Sequence, residues 1–517
     1  MLVHHYLDFY ARSFPDNACI SQNGRTLTFK GLSEYSNRLA SGLVSLGVIP
    51  GQRVAVLGSN SMEHAVVYMA ASKSGAVAVP LNYRLAPSEL AYVINDADTQ
   101  VLIVLESAQE ILSELRDKLS SEVVVVSHDA EDTLHWDSWL DQFSDSSFDI
   151  DLDINAPFLQ LYTSGTTGKP KGVVSSHFNM IQMWSLNTMM PPHRPHIGSA
   201  TIAVAPFFHI GGAGTLLQGV LNGQCTIVHE NFDPVKLIDD IENHPVDKIF
   251  LVPAMLMFIL QMPDINNRDF SRIKQVAYGA SPISEGLLKQ AIEVFQCEFV
   301  QLYGMTETTG CATILSEHDH SKALQDDPGL LRSCGRPALG VKIKIMDQNE
   351  CEVPPGEVGE IWIKSDTNML YYYNLPEATA ATMVDGWVKT GDAGCIDEDG
   401  YLFLKDRIKD MVVSGGENIY PAEVENALLK HESIEELAVI GIPDEKFGEA
   451  LLAVAVLKAG KELSIEELIE FSRDKIGGYK IPRKLIVVDS LPRNATGKVL
   501  KNVLREPYWK DKSRNVG

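Results

Sequence analysis

Phe158-Leu159-Gln160-Leu161-Tyr162-Thr163-Ser164-Gly165-Thr166-Thr167-Gly168-Lys169-Pro170-Lys171-Gly172-Val173 joins two patterns at one point. Its first five residues form a short, mostly apolar run that reads as a buried strand. The residues that follow are small, then hydroxylated, then basic. Small side chains let backbone N–H groups approach an anion, the hydroxyls add donors, and Lys169 and Lys171 add positive charge. The stretch therefore reads as a phosphate cradle at a strand end. It is not a Walker A loop, because only two residues separate Gly165 from Gly168 and Pro170 stands where Ser or Thr is needed. A plain hairpin loop would tolerate this composition but gives no reason for its order.

Apolar runs at 53–57, 101–105 and 122–126 precede the cradle, with helical patterns at 62–73 and 108–119 between them. Further runs follow at 203–205, 226–228, 248–252, 273–277 and 298–303. Alternation of this kind predicts an α/β fold of helix-covered parallel sheets, with ligands gathered beyond the carboxyl ends of the strands. From about Arg332, Gly and Pro punctuate short β-like runs, which marks a β-rich subdomain over roughly 332–406. The expected division is a large N-terminal domain over 1–406 and a small α+β C-terminal domain over 407–517, with the charged stretch Asp406–Asp410 as a candidate hinge.

A chain of 517 residues is too long for one ordinary core. Its 68 acidic and 44 basic residues give a net charge of −24. That balance disfavours nucleic acid or an anionic membrane face as a partner, yet allows an anionic small molecule at a locally basic site. Seven cysteines are scattered singly with no metal-ligand spacing, as expected of reduced thiols in a cytoplasmic protein. The N-terminus shows no basic segment followed by an apolar run, so no signal peptide is expected. The longest apolar stretch, 249–260, contains Pro253 and is too short to span a bilayer.

The run at 162–173 resembles the phosphate loop of the adenylate-forming superfamily, which includes acyl-CoA synthetases, luciferases and peptide-synthetase adenylation domains. Other stretches resemble that family's motifs, in its order and over nearly the whole chain. They are Phe207-Phe208-His209-Ile210-Gly211-Gly212, Tyr278-Gly279-Ala280-Ser281, Tyr303-Gly304-Met305-Thr306-Glu307, Thr390-Gly391-Asp392, Asp406-Arg407-Ile408-Lys409-Asp410 and Pro492-Arg493-Asn494-Ala495-Thr496-Gly497-Lys498.

The resemblance implies an acid–CoA ligase. ATP and a carboxylic acid give acyl-AMP and pyrophosphate, and the acyl group then passes to coenzyme A with release of AMP. It also implies Mg²⁺, a mobile C-terminal domain, and a set of residue roles. Thr163, Ser164, Gly165, Thr166, Thr167, Gly168, Lys169 and Lys171 would hold the phosphates. Gly279, Ala280, Ser281, Gln301, Tyr303, Gly304 and Thr306 would line the AMP moiety, with Asp392 and Arg407 on the ribose. Glu307 and Thr166 would serve the metal, for which a carboxylate is a suitable hard ligand. Lys498, with His209, Thr306 and Glu307, forms the implied catalytic set. Lys409 would be the hinge, and Gly415, Gly416 and Glu417 would meet CoA.

The implied acyl pocket gathers His209, Gly211, Gly212, Met255, Ala280, Gly304 and Met305. These residues are small or apolar, and His209 reads as a shaper of the entrance rather than a proton carrier. No buried Asp is evident to fix an amino group, and no Lys or Arg to meet a second carboxylate. A medium- or long-chain fatty acid is therefore expected, with an aryl or arylpropenoic acid as the alternative. A luciferase-like oxygenase would share every motif, and a nucleotide-binding regulator without turnover is the rival from another class. A homodimer is left open.

Overall fold

Arg53-Val54-Ala55-Val56-Leu57 is buried along its whole length, as a parallel strand covered on both faces must be. Its neighbours Val77–Leu81 and Thr99–Val104 run parallel to it. They belong to an eight-stranded sheet ordered Tyr371–Tyr372, Lys171–Ser176, Pro157–Thr163, Val77–Leu81, Arg53–Leu57, Thr99–Val104, Val124–Ser127 and Leu134–His135. A nine-stranded sheet follows the order Arg336–Pro337, Thr313–Leu315, Glu298–Tyr303, Gln275–Gly279, Val246–Leu251, Ala200–Ala203, Cys225–Val228, Ala18–Gln22 and Arg25–Thr28. Helix Met62–Ser74 is buried along its length apart from Glu63, and its apolar residues are spread around it rather than gathered on one face. One core joins it to Val54 and Val56 of the first sheet and to Ala203 and Val228 of the second.

This computed structural model describes residues 1–120, 122–128, 133–148, 150–163, 169–189, 195–281, 283–407, 410–414, 417–444, 447–473, 475–493 and 498–510. The chain divides into two units: Met1–Lys342 with Ile363–Val388, and Ile343–Trp362 with Lys389–Gly517. In the second unit, the long antiparallel pair Ile434–Asp444 and Gly448–Leu457 is extended by Lys484–Val487 in parallel. One face packs Val439 and Ala453 on Val424, Leu428 and Leu468 of two helices. The other sets Ile440 and Val454 against Leu504 and Tyr508 of helix Lys501–Trp509. In the same unit, residues 392–396 pair antiparallel with Leu402–Arg407.

The fold is thus α/β with mostly parallel helix-covered sheets and β-rich additions. The 203–205 run, expected as a strand, is where one ends: the strand is Ala200–Ala203. Val77–Leu81 is a fully buried strand that the apolar runs did not include. Among the described residues no helix is long and apolar enough to cross a membrane. All seven cysteines are free.

Candidate active site

Strands Pro157–Thr163 and Lys171–Ser176 form an antiparallel hairpin in which Thr163 stands opposite Lys171. The hairpin brings the two ends of the cradle together at a strand terminus. Ser164, Gly165, Thr166, Thr167 and Gly168 lie outside the described residues. Lys169 is exposed, with its Nζ 5.2 Å from the centre of the Tyr92 ring. Lys171 Nζ lies 4.8 Å from the centre of the Tyr372 ring, within reach of a cation–π contact.

Tyr372 connects this hairpin to the second sheet. It pairs with Val173 at the sheet edge, and its hydroxyl donates to Glu307 Oε1 at 2.7 Å. Glu307 is nearly buried and sits in a short 3₁₀ turn, Thr306–Thr308, directly after strand Glu298–Tyr303. The turn is pinned further by Met369 N–H donating to the Glu307 carbonyl at 2.8 Å and by the Thr309 hydroxyl donating to the Thr367 carbonyl at 2.6 Å. The cradle hairpin and the Thr306-Glu307 loop therefore converge on one tyrosine. Sequence reading missed Tyr372. The run Tyr371-Tyr372-Tyr373 was visible, but nothing in it told which ring turns inward.

At the adjacent strand end, Gly279 closes Gln275–Gly279, and a Cβ there would collide with the Leu302 carbonyl oxygen. Ala280 follows with φ of 65°, a left-handed conformation that a non-glycine residue adopts at a cost and that concentrates at functional turns. Ser281 is half-buried beside it. Gln301 and Tyr303 share one face of the neighbouring strand, both nearly buried, and Gln301 Oε1 has no partner among the described residues. Gly304 begins the next turn, where a Cβ would stand 2.6 Å from the Gly310 carbonyl oxygen. Met305 opens the 3₁₀ turn, its N–H donating to Thr308 Oγ1 at 3.0 Å.

His209 caps helix Ile210–Asn222, and its carbonyl accepts from the N–H groups of Gly212 and Ala213. Its ring packs on Phe208 at 4.6 Å, and Nε2 has no partner among the described residues. Burial, with Arg84 nearby, pushes the imidazole down to about 4, so it is neutral at ordinary pH. Gly211 lies over Phe250, where a Cβ would come within 3.2 Å of the ring. Met255 is buried on helix Pro253–Leu260, which packs on helices Pro234–Asn243 and Glu285–Phe295.

In the second unit, Asp392 is nearly buried, and its strand register sets it opposite Arg407. The Arg407 and Glu417 side chains lie outside the described residues, as do Lys409, Gly415 and Gly416. Lys498 is exposed and adjoins Val499, which forms an antiparallel bridge with Arg493. In the helix that follows, Lys501 reaches Glu425 at 2.8 Å and Asp406 at 3.8 Å, and Arg505 pairs with Asp410. The segment after Lys498 is thereby braced to both ends of the 406–410 stretch. Among the described residues no group of three or more His, Cys, Asp or Glu could hold a metal. A single carboxylate such as Glu307 fits a dication that takes most of its oxygens from nucleotide phosphates and water.

Residues 7–373 match the AMP-binding enzyme family, and residues 423–498 match the AMP-binding enzyme C-terminal domain. A fatty acid–[acyl-carrier-protein] ligase, ScoC of Streptomyces coeruleorubidus, is 36% identical over 98% of this chain and 96% of its own. A feruloyl-CoA synthase of an Amycolatopsis species is 34% identical over 96% and 97%. The structure of o-succinylbenzoate CoA synthetase from Bacillus subtilis, in complex with its acyl-adenylate intermediate, matches with a TM-score of 0.84 at 31% identity, covering 98% of both chains. The chain belongs to the AMP-binding enzyme family and is an ATP-using acid–thiol ligase.

Proposed function

We propose that this enzyme joins a medium- or long-chain fatty acid to coenzyme A through an acyl-adenylate. The observation that carries the reading is the Lys171–Tyr372–Glu307 arrangement, which sets a cation and a carboxylate at the mouth of the cradle. In this reading the hairpin loop at 163–171 holds the triphosphate, and Gly279–Ser281, Gln301, Tyr303 and Gly304 enclose the adenine end. Thr306 donates to the α-phosphate, and Asp392 accepts from the ribose hydroxyls, with Arg407 beside it. Glu307 and Thr166 would hold Mg²⁺, which supplies positive charge across the phosphate oxygens when bound.

Attack of the acid on the α-phosphorus moves negative charge onto the phosphate oxygens. Lys498 meets that charge in the transition state more than in the ground state, which is what lowers a barrier. His209, neutral and buried, shapes the acid entrance with Gly211, Gly212 and Met305, while Ala280, Gly304 and Met255 complete the acyl lining. The thiol step needs a different surface. Residues 407–517 turn as a body about Lys409, withdrawing Lys498 and presenting Gly415, Gly416 and Glu417 to the pantetheine arm.

The test is pyrophosphate release across acids of graded length, aryl acids included, with CoA or a phosphopantetheinyl carrier protein as acceptor. The reading predicts one slow turnover with a fatty acid and ATP alone and sustained turnover on adding CoA. Silence with every acid, or turnover with the carrier protein and none with CoA, would contradict it.

A further inference from the structure

Strand Ala200–Ala203 and helix Ile210–Asn222 are joined by a short segment that ends at His209. Buried backbone groups in such a segment must find partners outside regular structure. Here they find them on one stretch, Asn60–Tyr68, which follows strand Arg53–Leu57 of the other sheet. Asn60 Oδ1 accepts from the Phe207 N–H at 2.9 Å. Its Nδ2 donates to the carbonyls of Ala205 at 2.9 Å and His229 at 3.2 Å. One N–H and two carbonyls fix which way this amide faces. The Tyr68 hydroxyl donates to the Phe207 carbonyl at 3.1 Å, so both backbone groups of Phe207 are held from one side. The Phe207 ring meets His64 edge-on, with 5.3 Å between ring centres.

The holder is itself fixed. Asn60 and Tyr68 are buried, and the Gln22 amide bridges the Asn60 carbonyl and the Met62 N–H, each at 2.9 Å. On the far side a Cβ at Gly212 would collide with the carbonyl oxygens of Pro206 and Ala205. The segment is therefore clamped between helix Met62–Ser74 and the first turn of helix Ile210–Asn222. Phe207 stands two residues before His209, whose N–H donates to the Pro206 carbonyl at 3.1 Å. A shift of Phe207 has no slack to be absorbed in and passes to Phe208 and His209. Among the described residues, the hydrogen bonds of Asn60 and Tyr68 reach neither the cradle hairpin nor the turns at Gly279 and Thr306.

We propose that Asn60 and Tyr68 are positioning residues for the acid: by gripping Phe207 at its N–H and its carbonyl they set where Phe208 and His209 stand at the acid entrance. They govern recognition of the acid through the turn and leave the nucleotide end alone. A site shaped by packed aromatic rings loses affinity when the backbone under those rings is loosened, because the bound geometry must then be bought from binding energy. The inference rests on the reading above in which His209 shapes the acid entrance, and it names what holds that residue in place.

The experiment measures pyrophosphate release by the full-length enzyme, over acid at saturating ATP and over ATP at saturating acid, using the best acid of a graded series. Tyr68→Phe removes one hydroxyl and keeps the ring. It should raise KM for the acid by about three- to tenfold while KM for ATP stays within about twofold. Asn60→Asp sets a carboxylate oxygen against two carbonyls and should raise it by about tenfold or more. Tyr10→Phe is the control, since the Tyr10 hydroxyl donates to the Leu221 carbonyl at the other end of helix Ile210–Asn222. It should leave KM for the acid within about twofold of the parent value. Tyr68→Phe with the parent KM for the acid overturns the proposal, and so does a rise shared equally by acid and ATP. A rise in Tyr10→Phe as large as that in Tyr68→Phe also overturns it, because loosening of the core would then suffice. Tyr68→Phe decides even where Asn60→Asp fails to fold. A parent enzyme silent with every acid overturns the ligase reading and this inference with it.

Discussion

Glu307 is aimed by one hydroxyl. Tyr372 donates to one carboxylate oxygen, so in the proposed reading its hydroxyl would act on Mg²⁺ through Glu307. A hydrogen bond to a charged group contributes about 1.5–3 kcal/mol. Tyr372→Phe keeps the ring beside Lys171 and removes the hydroxyl that donates to Glu307. We expect kcat/KM for ATP to fall roughly tenfold, with part of the loss recovered at raised Mg²⁺, as initial rates over a Mg²⁺ series would show. At this scale the sequence was legible where order carries chemistry. Gly279 closes its strand and Glu307 sits in a turn directly after one, while Asp392 lies inside strand Trp387–Ile396. Tyr372 was not legible, because a run of three tyrosines does not reveal which ring turns inward.

Elements were legible where period and breakers agreed. The cradle hairpin was marked by an apolar run ending in small residues, and helix Met62–Ser74 by the apolar run from Ala65 to Ala71. Val77–Leu81 escaped because Pro80 sits inside it, and proline argues against a central strand. The ladder accommodates it: toward Pro157–Thr163 the strand makes one register pair, Ala78 with Leu159, and Pro80 instead faces Val56. In the second unit, helix Lys501–Trp509 is held by charge. Burial works against the Lys501 ammonium, yet Glu425 and Asp406 hold its pKa above the ordinary lysine value. Burial lifts the Glu425 carboxyl in turn, although Lys501 draws it back. Lys501→Met would leave two carboxylates buried without their cation. It should destabilise the second unit by about 3–5 kcal/mol, measurable by urea unfolding. Lys409→Pro tests the proposed hinge, since proline fixes φ. Thioester formation should fall at least about tenfold while adenylate formation persists, read by separate assays of the two steps.

Across the molecule as a whole, four histidines of the first unit whose pKa is pushed down set its response to acid. Burial drives His64 and His177 down to about 3 and His209 and His320 down to about 4. Their folded pKa values lie below the unfolded value near 6.5, so the unfolded chain binds the protons first. The stability they contribute is complete above about pH 6.5 and is lost as pH falls. At pH 5 the loss is on the order of 2 kcal/mol for each. Relief of self-repulsion in a chain of net charge −24 acts in the opposite sense, and salt screens it. The urea midpoint of the first unit should therefore drop between pH 7 and pH 5 at physiological ionic strength.

In the proposed mechanism the exposed Lys498 serves the adenylation step and not the thiol step. Lys498→Ala, assayed in single turnover, isolates it. Adenylate formation from acid and ATP should fall by about a hundredfold or more, while preformed acyl-AMP should still yield thioester with CoA within a few-fold of the parent rate. Equal loss in both steps would show that Lys498 does not divide its work in this way.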